Sequence, residues 1–181
     1  MPVFSEKSLV YLNECHPILK RAAHIVIQYV DFKVICSARN EEDQFIAFNS
    51  GKSKVRWPNG KHNCIQAFPE SERGSARKKW PNVPEYSMAM DIMPYPLPKK
   101  GNIWDEKYAY RFSYIIAHFN MAIYRMFRNN ETMYIPRNGC DWDGDGDLDD
   151  NEFNDLGHIE LILPPKNMVL PEILSTQLPI F

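Results

Sequence analysis

Asp155-Leu156-Gly157-His158-Ile159-Glu160-Leu161-Ile162-Leu163 is the stretch that decides the fold class. Its second half, Ile159 to Leu163, is a short apolar run of strand composition. Its first half is an Asp-x-x-His pair, two metal-competent side chains at the mouth of that strand. A second run of this kind, Ser87-Met88-Ala89-Met90-Asp91-Ile92-Met93, holds a lone carboxylate and is stopped by Pro94, Pro96 and Pro98. Phe32 to Cys36 and Met133 to Ile135 read as further short strands.

Helical patterns lie between them. Leu9, Leu12, Leu19, Ala22, Ala23 and Val26 make an apolar stripe over about residues 6–29, interrupted by Pro17. Asn40 to Phe48 is a short predicted helix, with Glu41, Glu42 and Gln44 on one side and Phe45, Ile46 and Phe48 on the other. The strongest pattern runs from about Asp105 to Arg128, with Phe112, Ile115, Phe119 and Ile123 on one face. Gly51 to Asn63 is polar and reads as loop. Residues 65–86 are the least regular, with Pro69, Pro81 and Pro84 and the basic cluster Arg73, Arg77, Lys78 and Lys79. Helices early and mid-chain, with short strands holding candidate ligands at their ends, predict an α+β class. The expected form is one small domain over residues 1–181, a short antiparallel sheet carrying the ligands and packed against helices.

A length of 181 residues suffices for a real core, and 44% hydrophobic with 13% aromatic residues excludes a disordered chain. A net charge of −2 gives no global attraction to nucleic acid or membrane. No apolar run reaches the ~18 residues of a transmembrane span, and Met1-Pro2-Val3-Phe4-Ser5-Glu6-Lys7 is unlike a secretory leader. A cytoplasmic protein is expected on that basis, and a monomer is the expected state. Cys15, Cys36, Cys64 and Cys140 are scattered without Cys-x-x-Cys spacing, which disfavours a thiolate zinc site or a disulfide framework. Cys36, within Val34-Ile35-Cys36, reads as a small buried hydrophobe.

Two inorganic sites are suggested by side-chain chemistry. A catalytic zinc takes three protein ligands and leaves one position for water. His158, with Asp155 three residues before it, is the best-placed histidine; in a compact turn that carboxylate could accept a proton from water at the same metal. His62 sits in a polar loop, and Asp91 is a carboxylate that an apolar strand buries only with a partner. That partner could equally be an arginine, His62 a surface residue and His158 a satisfied core histidine. His16, His24 and His118 lie in helical segments and read as structural. Upstream, Asp141 to Glu152 fits a twelve-residue calcium loop: Asp141, Asp143 and Asp145 at positions 1, 3 and 5, Gly146 at 6, Asp147 at 7 and Glu152 at 12.

The order of these motifs resembles that of the zinc D-alanyl-D-alanine carboxypeptidase and L-alanyl-D-glutamate peptidase family, particularly its small phage endolysins. Ser37-Ala38-Arg39-Asn40-Glu41-Glu42-Asp43-Gln44 looks like the family's Arg block. Lys61-His62-Asn63 and Ser87 to Pro96 look like the halves of its His…Ala-x-Asp signature, Asp141 to Asp143 like its Asp-Trp-Asp stretch, and Asp155 to Glu160 like its closing Asp-x-x-His block. The blocks span roughly Ile35 to Leu163. Gly60 and Ile159 stand where the family usually has Ser and Phe. His62 and Asp91 lie 29 positions apart, where the family has a short interval, so residues 65–86 are expected to leave as a loop and return to the same strand.

The resemblance implies that His62, Asp91 and His158 bind zinc, that Asp155 is the catalytic base, and that Arg39 holds a substrate carboxylate or the oxyanion. Glu160 would support His62 or His158. The implied activity is hydrolysis of the peptidoglycan stem peptide by an endolysin, expected from the leaderless N-terminus to stay in the host cytoplasm until lysis. Separately, the loop motif places calcium at Asp141, Asp143, Asp145, Asp147 and Glu152 as a structural ion that could activate by ordering the approach to Asp155. The alternatives are a non-catalytic, calcium-dependent wall-binding module and a virion-associated wall-degrading component.

Overall fold

The computed structural model describes residues 2–143 and 154–166. Two helices open the chain, α1 (Glu6–Glu14) and α2 (Pro17–Val26), followed by strand β1 (Phe32–Cys36), helix α3 (Glu41–Asn49) and helix α4 (Glu70–Lys79). Strand β2 (Ala89–Pro94), the long helix α5 (Ala109–Arg128), and strands β3 (Ile135–Gly139) and β4 (Asp155–Ile162) complete it. The four strands form one antiparallel sheet in the order β1-β2-β4-β3. The α+β class with a short antiparallel sheet against helices is thus the observed one.

Local chemistry explains the boundaries. Pro17 does not break a single long helix; it divides two, sitting at the first turn of α2, where its missing N–H costs nothing. Ser5 caps α1 by accepting from Ser8 N at 3.2 Å, and Asn40 caps α3 by accepting from Asp43 N at 2.9 Å. Glu41, Glu42 and Asp43 then fill the first turn of α3, where the helix dipole favours negative charge.

The core lies between the sheet and α2 and α5. Phe32 and Val34 of β1, Met90 and Ile92 of β2, and Ile159 and Leu161 of β4 meet Leu19, Ala23 and Val26 of α2 and Phe112, Ile115, Phe119 and Ile123 of α5. Strand residues alternate between faces, so Asp91, His158 and Glu160 occupy the other face of the sheet. No described helix is long and apolar enough to cross a membrane.

Two expectations change. On α3 it is Gln44 that is buried (1% exposed), while Phe45 and Ile46 are exposed (66% and 58%). Gln44 turns inward because Nε2 donates to Ser53 Oγ (2.8 Å) and Val55 O (2.5 Å), while Oε1 accepts from Asn63 (3.1 Å). A satisfied amide fastens the polar loop to the helix, and burial is then allowed. Residues 65–86 are also more ordered than a loop, since they contain α4. Ile65 N donates to Pro84 O and Gln66 N to Glu85 O, both at 3.0 Å, so the excursion closes at its own neck.

Two residues of the basic cluster, Arg73 and Arg77, are paired inside that excursion, and Lys79 reaches out of it. Arg73 donates to the carbonyls of Phe68 (3.0 Å) and Gln66 (3.1 Å), Arg77 pairs with Glu85 at 2.6 Å, and Lys79 reaches Glu41 at 2.8 Å.

Candidate functional site

Strand register brings the first pair of candidate ligands together. Asp91 of β2 stands opposite His158 of β4, and Ala89 opposite Glu160. His62 arrives from the loop, held on three sides by backbone. Arg39 N donates to His62 O (2.8 Å), Met88 N to Lys61 O (2.9 Å), and the His62 ring to Ser37 O. Because a carbonyl only accepts, His62 Nδ1 carries the proton and Nε2 presents its lone pair. Ser87 Oγ donates to the same Ser37 carbonyl at 2.8 Å, tying this segment to the start of β2. The long excursion therefore does not displace His62.

The three ligand atoms form a nearly equilateral triangle. Asp91 Oδ1 is 3.0 Å from His158 Nδ1 and 3.2 Å from His62 Nε2, and the two nitrogens are 3.3 Å apart. A tetrahedral zinc with N and O ligands at about 2.0–2.1 Å needs its ligand atoms about 3.3–3.4 Å apart. The residues present fit such an ion. Both histidines are buried, at 5% and 6% exposure, and Trp142 lies against the His158 ring with centroids 5.2 Å apart.

Asp155 joins them by an irregularity. Residues three apart on a regular strand face opposite ways. Here Asn138 of β3 pairs with Ile159 while its neighbour Gly139 pairs with Asp155, so Leu156, Gly157 and His158 bulge out of the ladder. This brings carboxylate, imidazole and Asp91 into a group whose ligand atoms all lie within 4.8 Å. The pair thus sits in a bulged strand, not in a compact turn. Two glycines make room for it. A Cβ on Gly157 would lie 2.5 Å from Ile92 O, and one on Gly139 would lie 2.5 Å from Asp155 O.

Electrostatics follow from burial and neighbours. Burial pushes the Asp91 carboxyl up, yet the imidazoles of His62 and His158 outweigh it and hold the group well below the usual carboxylate range. Burial would lower His158, but Asp91 and Glu160 accept from its two nitrogens and push the ring up to about 9. Asp155 is raised, by burial first and by the Asp91 charge second. Arg39 sits with Nη2 3.6 Å from Asp91 Oδ2. Asp91 therefore meets both of the partners considered for it, a cation on one oxygen and two histidines on the other.

Glu160 turns out to serve His158 alone of the two histidines. Its Oε2 accepts from His158 Nε2 at 3.1 Å, and its Oε1 accepts from Arg137 Nε at 2.7 Å. Such a chain fixes ring orientation and raises ligand basicity. Sequence reading missed Arg137, Ser37 and Cys36. Arg137 and Ser37 act only across the fold, and nothing local signals them. Cys36 is half-buried at the site and not a core hydrophobe, its Sγ grouped with His62 and Asp91 within 4.8 Å. Of the calcium-loop residues, Asp141 and Asp143 are described, whereas Asp145, Asp147 and Glu152 lie outside the described residues.

No family model matches the sequence, and no curated protein does. Among solved structures, the chain resembles the Serratia marcescens L-Ala D-Glu endopeptidase ChiX, with a TM-score of 0.53 over 90% of each chain at 19% identity. At that identity the likeness is one of fold.

Proposed function

We propose that this protein is a zinc-dependent peptidase that hydrolyses the peptidoglycan stem peptide. The observation that carries the reading is the His62, Asp91 and His158 triangle, with Asp155 beside it and Arg39 at its edge. The likeness in fold to an L-Ala D-Glu endopeptidase favours that bond over the D-Ala–D-Ala type.

His62 Nε2, Asp91 Oδ1 and His158 Nδ1 would hold the metal, and the Arg137–Glu160 pair would keep the His158 ring in place. When bound, zinc supplies Lewis-acid polarisation of the scissile carbonyl and lowers the pKa of water towards about 7. Asp155 takes the proton from the attacking water and returns it to the leaving amine, a role that its raised carboxyl suits. Arg39 holds a substrate carboxylate or the developing oxyanion through its fixed fork of donors. A phage endolysin, with calcium in the Asp141–Glu152 loop as a second ion, is the biological setting that the sequence motifs favour.

The test is metal content of the purified protein alongside peptide release from purified peptidoglycan, with His62→Ala as comparison. About one zinc per chain, lost with activity in the variant, is expected from a three-ligand centre. Zinc and activity both surviving His62→Ala would overturn the ligand set. Absence of zinc from active wild-type protein would overturn the zinc assignment. Absence of both zinc and activity would favour a calcium-dependent wall-binding module.

A further inference from the structure

The ladder between β1 and β2 contains a bulge with a chemical result. Phe32 and Val34 point into the core, and strict alternation would send Cys36 after them and aim Ile35 at Asp91. Instead Val34 pairs with Ile92 and Cys36 pairs with Asp91, so two steps on β1 oppose one on β2. That extra residue moves Cys36 from the core face to the face that carries Asp91. Its Sγ then lies in a group with His62 and Asp91 whose ligand atoms are all within 4.8 Å of one another.

Burial, and after it the Asp91 charge, push the Cys36 thiol up to about 11, and Arg39 is the group that opposes them. Arg39 Nη2 is 3.7 Å from Cys36 Sγ and 3.6 Å from Asp91 Oδ2, placing a fixed positive charge between the two. Cys36 is half-buried, whereas Cys15 and Cys64 are sealed in the core. A zinc–sulfur bond of about 2.3 Å beside nitrogen and oxygen ligands at about 2.0–2.1 Å puts Sγ about 3.6 Å from the other ligand atoms. For His62 and Asp91 the 4.8 Å ceiling leaves about 1 Å at most to close, within the reach of a χ1 rotation.

We propose that Cys36 is a fourth, thiolate ligand of this centre in the resting protein, filling the position through which substrate must enter. The inference rests on His62, Asp91 and His158 holding the metal. The Cys36 S–H bond breaks with its proton passing to solvent, a sulfur–metal bond forms, and the water that would otherwise take that position leaves. Substrate entry reverses the exchange. A catalytic zinc keeps one coordination position open and a structural zinc has none, so the thiolate makes the centre latent.

The test uses the full chain loaded with cobalt(II), read by absorption spectroscopy and metal analysis. One cobalt per chain with an intense near-ultraviolet sulfur-to-cobalt charge-transfer band is expected in the wild type. That band should vanish in both Cys36→Ser and Cys36→Ala while cobalt content holds, with circular dichroism checking the fold of each. Stoichiometric cobalt without the band, or a band persisting in both variants as it would from Cys64 or Cys15, overturns the role of Cys36. A wild type that binds no cobalt overturns the three-ligand centre itself, and metal content tells the two failures apart.

Discussion

Gly157→Ala adds one methyl group where β4 passes over the Ile92 carbonyl of β2. The new Cβ would stand 2.5 Å from Ile92 O, a backbone atom that cannot swing aside as a side chain would. Reaching a separation of 3.0–3.4 Å, where real Cβ contacts begin, requires the strands to part by about 0.5–0.9 Å. Overpacking of that size costs about 1–3 kcal/mol. With a urea m-value of about 2 kcal/mol/M, the unfolding midpoint should fall by about 0.5–1.5 M. The residue beside Gly157 is His158, whose Nδ1 lies 3.0 Å from Asp91 Oδ1 as a candidate ligand of the same ion. Sites of this kind tolerate about 0.5 Å of error, so zinc affinity should fall together with stability. Urea unfolding followed by tryptophan fluorescence, with zinc titration of the same samples, measures both. An unchanged midpoint and unchanged affinity would refute the close approach of β4 to Ile92 and the strand geometry built on it.

Asp155→Asn should leave zinc bound and lower peptide release by about 10²–10⁴-fold, since it removes a proton acceptor and not a ligand. Retention of wild-type turnover would discard Asp155 as the base. Zinc uptake should release protons and weaken as pH falls below about 9, because Asp91 and Glu160 hold His158 protonated up to that value in the metal-free protein. In linkage terms, this raised imidazole stabilises the metal-free fold fully below its unfolded value of 6.5, and the contribution is lost as pH rises through about 9. Isothermal titration in buffers of different ionisation enthalpy reads the proton count, and pH-independent affinity would contradict the assignment. Selective calcium chelation that spares zinc should lower activity if the Asp141–Glu152 loop orders the approach to Asp155, and unchanged rates would remove calcium from the mechanism.

Much of this protein is decided along the chain itself. A 3.6-residue apolar period is a property of consecutive residues, and it marks Phe112, Ile115, Phe119 and Ile123 as the core face of α5. Lone Asp91 in an apolar run was equally visible, because a carboxylate is buried there only with a partner, and so was Asp155 three residues before His158. Helix α3 was legible as a helix from the two-sided pattern of Asn40 to Phe48, but its buried face was not, because Gln44 is satisfied by Ser53, Val55 and Asn63 through tertiary contact. The 29-position interval from His62 to Asp91 was visible too, but not that hydrogen bonds from Ile65 to Pro84 and from Gln66 to Glu85 close it at the neck. Strand facing was the other undecided quantity. A bulge exists only between two paired strands, so no reading of β1 alone turns Cys36 towards Asp91, and none of β4 alone folds Asp155 back beside His158. Chain-local periodicity determined the elements and the side chains able to bind a metal; strand pairing decided which of those side chains share one face.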